Sequence, residues 1–333
     1  MPSNTARTGG VMYPIIKSIS EILGSTPEKH SEKKLGSFLV FAAFHGDVII
    51  SALFATAMAP NLIVMEMAQQ QHIHITWLSW FLASCVPSIL ALIVIPLILY
   101  KIYPPEIKKI PNAKTWADDE LKKLGKWTLP EKVMLTVFIC ALILWMLSSI
   151  IQIDAALVAF LAVSVMLITG VLTTKDMLQE SGAWNTLLWF SILIFMANSL
   201  NTLGFIPWFS KKVSSSLKGI SWVVVLIAIM VIYFYSHYLF ASGTAHVSAM
   251  YGALLAVAIS SGVPSMLAAM QLAFIGSLFS STTHYTSGSA SVMFESGYVT
   301  QKEWWQYNFI IGIIDLLIYG IVGSLWMKVI GMW

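Results

Sequence analysis

Charge is what this sequence has least of. Only 11% of its 333 residues are Asp, Glu, Lys or Arg, under half of the roughly 25% usual in soluble domains. A chain so poor in charge cannot cover a water-facing surface in the ordinary way. Arginine is almost absent: Arg7 is the sole example, and the lysines sit in loops between apolar runs. With no continuous basic face, nucleic acid is excluded as a partner. Cysteine is scarce as well. Cys85 and Cys140 lie inside apolar runs, which excludes a disulfide framework and leads us to expect two buried free thiols. The ingredients of an enzyme are also lacking. Ser3, Ser242 or Thr244 could be paired with His246 or His284, but no third, orienting carboxylate and no metal-ligand pair stands near them.

What the chain has in abundance is hydrocarbon, 57% of residues being hydrophobic with 13 Trp among them. Apolar runs long enough to span a bilayer need about 20 residues. They are expected over 6–20 (an outgoing hairpin arm), 37–70 (broken at 56–61), 77–100, 133–151, 155–173, 184–206, 220–241, 245–260, 265–295 (broken near 282–288) and 306–330. Residues 21–36 and 101–131 are charged segments, the second opened by Pro104-Pro105 after an interfacial Tyr100-Lys101 pair. Counting lysines orients this layout, because positive charge collects on cytoplasmic loops. All but Lys211, Lys212, Lys218 and Lys328 fall on the side of loops 21–36, 101–132, 174–183 and 296–305. That side is cytoplasmic, and Trp333 is external.

Two stretches repeat one phrase. The first runs from Ser3-Asn4-Thr5 to Thr56-Ala-Met-Ala-Pro60-Asn61. The second runs from Ser242-Gly243-Thr244 to Thr282-Thr283-His284-Tyr285-Thr286-Ser287-Gly288. Polar interruptions at corresponding places in two hydrophobic halves mark the binding site of a secondary transporter. The fold class expected is therefore an all-α, multi-span membrane protein: an inverted-repeat transporter with two re-entrant hairpins and two broken helices. Its first repeat would be residues 1–100, its cytoplasmic linker 101–131 and its second repeat 132–333. No span precedes Ser3, so the hairpin's incoming arm is expected upstream, and the chain is expected to be the C-terminal two-thirds or so of a longer carrier.

The interruptions favour an anion. Ser3, Asn4, Thr5, Asn61, Ser242, Thr244 and Ser287 are helix-capping residue types standing at helix starts. Four such starts would each present roughly +0.5 of charge and free N–H donors, enough for a dicarboxylate. Arg7 would be expensive at membrane depth and so is expected to be functional, its planar fork matching a carboxylate. Pairing with Asp47 is the alternative. His284, inside the second interruption, is expected to touch substrate, and His246 is a weaker candidate. His45 and Asp47 could form a relay but are expected to pair with each other or with Arg7, and Asp315 is expected to pack against a polar neighbour.

The motif Pro2-Ser3-Asn4-Thr5-Ala6-Arg7, with Gly10 and Tyr13-Pro14-Ile15 after it, resembles the hairpin signature of the divalent anion/sodium symporter family. Phe54-x-Thr56-Ala57-Met58-Ala59-Pro60-Asn61, Tyr103-Pro104-Pro105-Glu106, Ala183-Trp184-Asn185-Thr186-Leu187, Phe240-Ala241-Ser242-Gly243-Thr244-Ala245 and Thr283-His284-Tyr285 are most similar to its exchanger branch of citrate/succinate and tartrate/succinate antiporters and plastid 2-oxoglutarate/malate translocators. The resemblance covers essentially the whole chain. It implies exchange of di- or tricarboxylates by elevator-type alternating access, a homodimer, and a bacterial inner membrane or plastid inner envelope. The substrate ligands it implies are Ser3, Asn4, Thr5, Arg7, Pro60, Asn61, Ser242, Gly243, Thr244, Thr283, His284, Ser287 and Gly288. Sodium carriers of the family show Ser-Asn-Thr at both tips and a proline turn in both breaks. Here Gly243 replaces the second Asn, and no proline lies between Thr282 and Ser296. No metal and no cofactor is therefore expected. Sodium symport, with Ser3, Asn4 and Thr244 as ligands, is the alternative, and a non-transporting fragment is another.

Overall fold

The computed structural model describes residues 3–333 apart from 110–117, 119–120, 123–124, 152, 154, 181–183, 185–186, 189–190, 193–194, 197–198, 201 and 217–218. Among the described residues every regular element is helical. In order these are α1 (Asn4–Arg7), passing through a π-helical stretch Thr8–Met12 into α2 (Tyr13–Ile22); α3 (Gly36–Leu53); α4 (Ala59–Gln69); α5 (Trp77–Ile102); α6 (Leu129–Ile151); α7 (Ala155–Ile168); α8 (Thr174–Gln179); α9 (Phe205–Ser216); α10 (Trp222–Tyr235); α11 (Gly243–Ser260); α12 (Ser265–Leu278); α13 (Gly288–Glu295); α14 (Gln301–Leu317); and, after a second π-helical stretch Ile318–Gly323, α15 (Ser324–Val329). Six of the described helical segments are long and apolar enough to cross a membrane, as a multi-pass integral membrane protein requires.

The chain forms two compact units. One comprises Met1–Ile75, Ser79–Glu106 and Trp189–Trp333, and holds every tip and interruption singled out above. The other comprises Thr76–Leu78 and Ile107–Leu188. Its helices α6 and α7 turn Phe138, Ile139, Ile143, Leu157 and Phe160 outward, the face expected of helices bathed in lipid. Cys140 shares that outward face, and Cys85 is half-buried. The expectation of two buried thiols therefore fails for Cys140 and is met only in part by Cys85, because an apolar run at membrane depth can face lipid as well as core.

Both interrupted helices appear where the sequence places them, with shifted edges. The first gap opens at Phe54, with a 3-10 turn over Ala55–Ala57, and α4 begins at Ala59. The second follows α12 with a 3-10 turn Phe279–Ser281, and α13 resumes at Gly288. The last span starts at Gln301 instead of 306. Thr300 caps it, and Glu303 closes a capping box that extends the helix into what reads as loop. Helices α8 and α9 lie in stretches that look like loops in the sequence. Much of the span expected over 184–206, and Lys114, Asn185 and Thr186 with it, lie outside the described residues.

A gap at membrane depth strands backbone carbonyls that lipid cannot satisfy. At the end of α3 each one is answered. Asn61 Nδ2 donates to Ser51 O at 2.8 Å and to Phe54 O at 3.2 Å. Trp80 Nε1 donates to Ala52 O at 2.8 Å, and Ser84 Oγ to Leu53 O at 2.8 Å. The second gap uses its own hydroxyls. Thr286 Oγ1 bridges Ser280 O (2.9 Å) and Thr283 O (2.7 Å), Ser281 Oγ reaches Leu278 O (2.8 Å), and Thr282 Oγ1 reaches Phe279 O (3.0 Å). This explains why Ser and Thr crowd residues 280–291.

Candidate functional site

The first tip begins at Ser3, an extended residue whose hydroxyl accepts from Ala6 N at 3.2 Å and so starts α1. Ser242 does the same for α11, accepting from Ala245 N at 3.3 Å, and Ser287 for α13, accepting from Ala290 N at 3.2 Å. Three of the four helix starts thus carry a serine cap. The fourth, at α4, does not: Met58 holds the cap position without a side-chain bond, and Pro60 opens the helix. Asn61 is the third residue of α4 and Thr244 the second of α11. Neither is a cap, because a Ser or a Met in extended conformation already occupies that place.

These starts are brought together around the second gap. Asn4 Nδ2 donates to the buried Ser289 Oγ at 3.3 Å. A Cβ added to Gly288 would collide with the Thr5 side chain, so only glycine lets α1 and α13 lie this close. At the second tip, a Cβ on Gly243 would meet Phe279 at 3.6 Å and Ser280 Oγ at 3.8 Å. From the first gap, Asn61 Oδ1 accepts from Ser277 Oγ at 2.9 Å. Ser3, Thr5, Ser242 and Gly288 are exposed, and Asn4, Thr56, Thr244, His284 and Ser287 are half-buried. Pro60, Asn61, Gly243 and Thr283 are buried behind them. Hydroxyls and helix N-termini thus face open space at the junction of α1 with α13 and at the start of α11.

Arg7 is turned to protein on all three nitrogens. Nε donates to Asp47 Oδ1 at 2.5 Å; Nη2 donates to Ser51 Oγ at 2.9 Å and Asp47 O at 3.3 Å; Nη1 donates to Ala57 O at 3.4 Å. Asp47 is fully buried, and the hydroxyls of Thr8 and Ser289 also face its carboxylate. A buried carboxylate of this kind needs its cation. The guanidinium therefore locks α1 to α3 and to the first gap, and pairing with Asp47 is what the structure shows.

The remaining histidines divide. His284 Nδ1 accepts from Trp305 Nε1 at 3.2 Å and its ring packs on Phe294, so it bridges the second gap to α14. His45 Nε2 meets Asn308 Oδ1 at 3.0 Å and not Asp47. Asp315 is buried with both oxygens lacking a partner among the described residues. Sequence reasoning missed Ser51, Ser277 and Ser289, which carry the bonds between tips and gaps. Ser51 had a legible signal, one helical turn beyond Asp47.

A membrane-spanning protein in which interrupted helices and helix tips present capped N-termini to open space has the architecture of a secondary transporter. Residues 1–333 match the family model described as the sodium:sulfate symporter transmembrane region, and the chain belongs to that family, one of transporters and not of enzymes. Among its relatives are a putative malate transporter, YflS, of Bacillus subtilis (strain 168), 47% identical over all of this chain and 70% of that protein. Another is dicarboxylate transporter 2, chloroplastic, of Spinacia oleracea, 43% identical over all of this chain and 60% of that one. A third is the L-tartrate/succinate antiporter of Escherichia coli O6:K15:H31 (strain 536 / UPEC), 35% identical over 99% of this chain and 68% of its own length. The chain thus spans about three-fifths of the plastid relative it matches.

Proposed function

We propose that this protein carries di- or tricarboxylates of the succinate, malate, 2-oxoglutarate, citrate or tartrate class, exchanging one for another across a bacterial inner membrane. The observation that carries the reading is the juxtaposition of Asn4 and Thr5 with Gly288 and Ser289. It sets the exposed start of one half-helix beside the start of another. Each contributes roughly +0.5 of charge with free N–H donors, and Ser3, Thr5, Ser242, Thr244 and Ser287 add hydroxyls that orient a carboxylate. The names of the relatives, a putative malate transporter, a dicarboxylate transporter and an L-tartrate/succinate antiporter, support a carboxylate as the substrate. Arg7 serves the site indirectly: neutralised by Asp47, it fixes the tip without presenting net charge to substrate.

Sodium enters the reading as the alternative. Asn4 Oδ1 already accepts from Thr5 N at 3.0 Å, and Gly243 offers no side-chain oxygen at the second tip, so few side-chain ligands are left for the ion. A homodimer moving its tips by an elevator motion fits the resemblance and remains part of the proposal. The test is counter-exchange. In proteoliposomes holding the full-length protein, internal succinate should accelerate uptake of external labelled succinate with sodium absent from both sides. Uptake that needs a sodium gradient and ignores internal succinate would replace exchange by symport.

A further inference from the structure

Behind the second tip lies a pair of histidines that the substrate site leaves unused. His237 Nδ1 and His246 Nδ1 stand 2.9 Å apart in rings whose planes are within 10° of parallel, and both residues are fully buried. Two imidazole nitrogens at that distance must share a hydrogen, one donating and the other accepting. The gap admits nothing larger, since a zinc ion alone needs about 2.0–2.1 Å to each nitrogen. His246 continues the chain through Nε2 to Ser236 Oγ at 3.0 Å, with Met250 Sδ at 3.2 Å, and Ser236 Oγ reaches Tyr233 O at 3.1 Å. The backbone of Thr286 lies beside the His237 ring, whose Nε2 has no partner within hydrogen-bond distance among the described residues.

The surroundings suit a cation. Phe279 stacks on both imidazoles, with centroids 4.0 Å and 4.6 Å away, and Phe240 stacks on His246 at 4.2 Å. Flat aromatic faces stabilise a positive ring between them. The titratable groups facing the pair are tyrosines: Tyr233, whose ring lies 4.9 Å from His246, and behind it Tyr251, which donates to Ala269 O. No carboxylate, lysine or arginine among the described residues acts on either imidazole. A lone positive charge buried here is costly, so it needs an anion close by.

The pair's position supplies one. His246 donates its backbone N–H to Ser242 O, one turn behind the second tip. Thr286, beside His237, directly precedes the Ser287 cap of α13. Two of the helix starts proposed to meet the substrate, those of α11 and α13, therefore adjoin this dyad. We propose that the His237–His246 dyad binds one proton together with the anionic substrate, so that anion and proton occupy the carrier as a unit. The proton comes from water onto His237 Nε2, where it can donate toward Thr286 O, and returns to water when the anion leaves. The shared Nδ1 hydrogen and the His246–Ser236 bond persist throughout. These two residues are positioning groups that touch no substrate, and the proposal rests on the anion-carrier reading above.

Calorimetric titration of the full-length protein with succinate tests it, in buffers of different ionisation enthalpy and above the second ionisation of succinate. Wild-type protein should take up about one proton per succinate, and its affinity should rise about tenfold for each unit that pH falls. His237→Asn and His246→Asn keep a polar group near the Nδ1 position. Both should still bind succinate, with proton uptake near zero and affinity flat with pH. Absence of uptake in wild type, or the same uptake in both variants, overturns the proposal. So does a loss of binding that is equal at every pH with the proton count unchanged, which is the mark of a purely structural pair. If succinate does not bind, the carboxylate reading fails, and the same titration with sulfate decides the proton link alone. Binding of neither anion overturns both.

Discussion

The two interrupted helices share a shape and differ in what holds them. At the first, an ion pair and an amide do the work: Arg7 grips Asp47 and Ser51, and Asn61 answers the carbonyls of Ser51 and Phe54. Within the second gap itself no charged side chain takes part among the described residues, and Asp47 is met only beyond it, at Ser289. Thr286, Thr282 and Ser281 close their own loop, while Phe279 and two histidines stack behind it. A charge-held joint has one good geometry and fails sharply when a partner is lost. A hydroxyl-held joint spreads its bonds over several neutral groups of about 1 kcal/mol each. The comparison casts the first half as the fixed wall of the site and the second as the adaptable one, able to answer a bound anion.

The largest effects should come from the charged joint. Arg7→Ala leaves Asp47 buried without its cation and should destabilise the protein by about 3–5 kcal/mol, seen as a large fall in thermal midpoint in detergent. Replacing the pair together, Arg7→Met with Asp47→Leu, should restore most of that stability. If Arg7→Ala kept its stability but lost succinate affinity, the arginine would be a substrate ligand and the comparison would collapse. Next in size, Asn61→Ala removes both Nδ2 bonds and the acceptor of Ser277 Oγ. It leaves Ser51 O with Ser277 Oγ at 3.3 Å and Phe54 O with Ala57 N at 3.0 Å, and should cost about 1–3 kcal/mol, measured by the same melts. Thr286→Val, its counterpart at the second joint, should cost less than Asn61→Ala. An equal or larger loss would erase the contrast between the two halves.

Gly288→Ala tests the meeting of tip and gap. The added methyl collides with Thr5, so exchange should weaken by about 1–3 kcal/mol of overpacking, and Thr5→Ala in the same chain should relieve it. Smallest are the caps: Ser3→Ala, Ser242→Ala and Ser287→Ala should each cost about 1 kcal/mol, with Ser3 and Ser287 the more damaging to transport because they flank the same opening.

Much of this was legible from residue order. Polar, Ser/Thr-rich breaks inside apolar runs announce interrupted helices, because lipid tolerates no unsatisfied backbone, and the serine caps follow from local chemistry. Partnerships across long separations were not legible. Arg7 could equally have faced a ligand, and its pairing with Asp47, 40 residues away, is decided only by how α1 packs on α3. Asn61 reads as a cap and proves to be a clamp, because Met58 already held the extended position. The histidine dyad gave no signal, since His237 and His246 sit on opposite arms of a tip whose fold had to be seen.

Solvent-exposed cysteines offer the most direct measurement of the shared site. With Cys85 and Cys140 replaced by serine, Thr5→Cys and Ser242→Cys place one thiol at each tip, the first beside Gly288 and the second next to Gly243, which meets Phe279 and Ser280. A substrate bound between the tips should slow thiol labelling at both positions as succinate is added, with the same half-maximal concentration. Labelling that ignores succinate at both tips, in protein that still exchanges it, would show that the anion binds elsewhere.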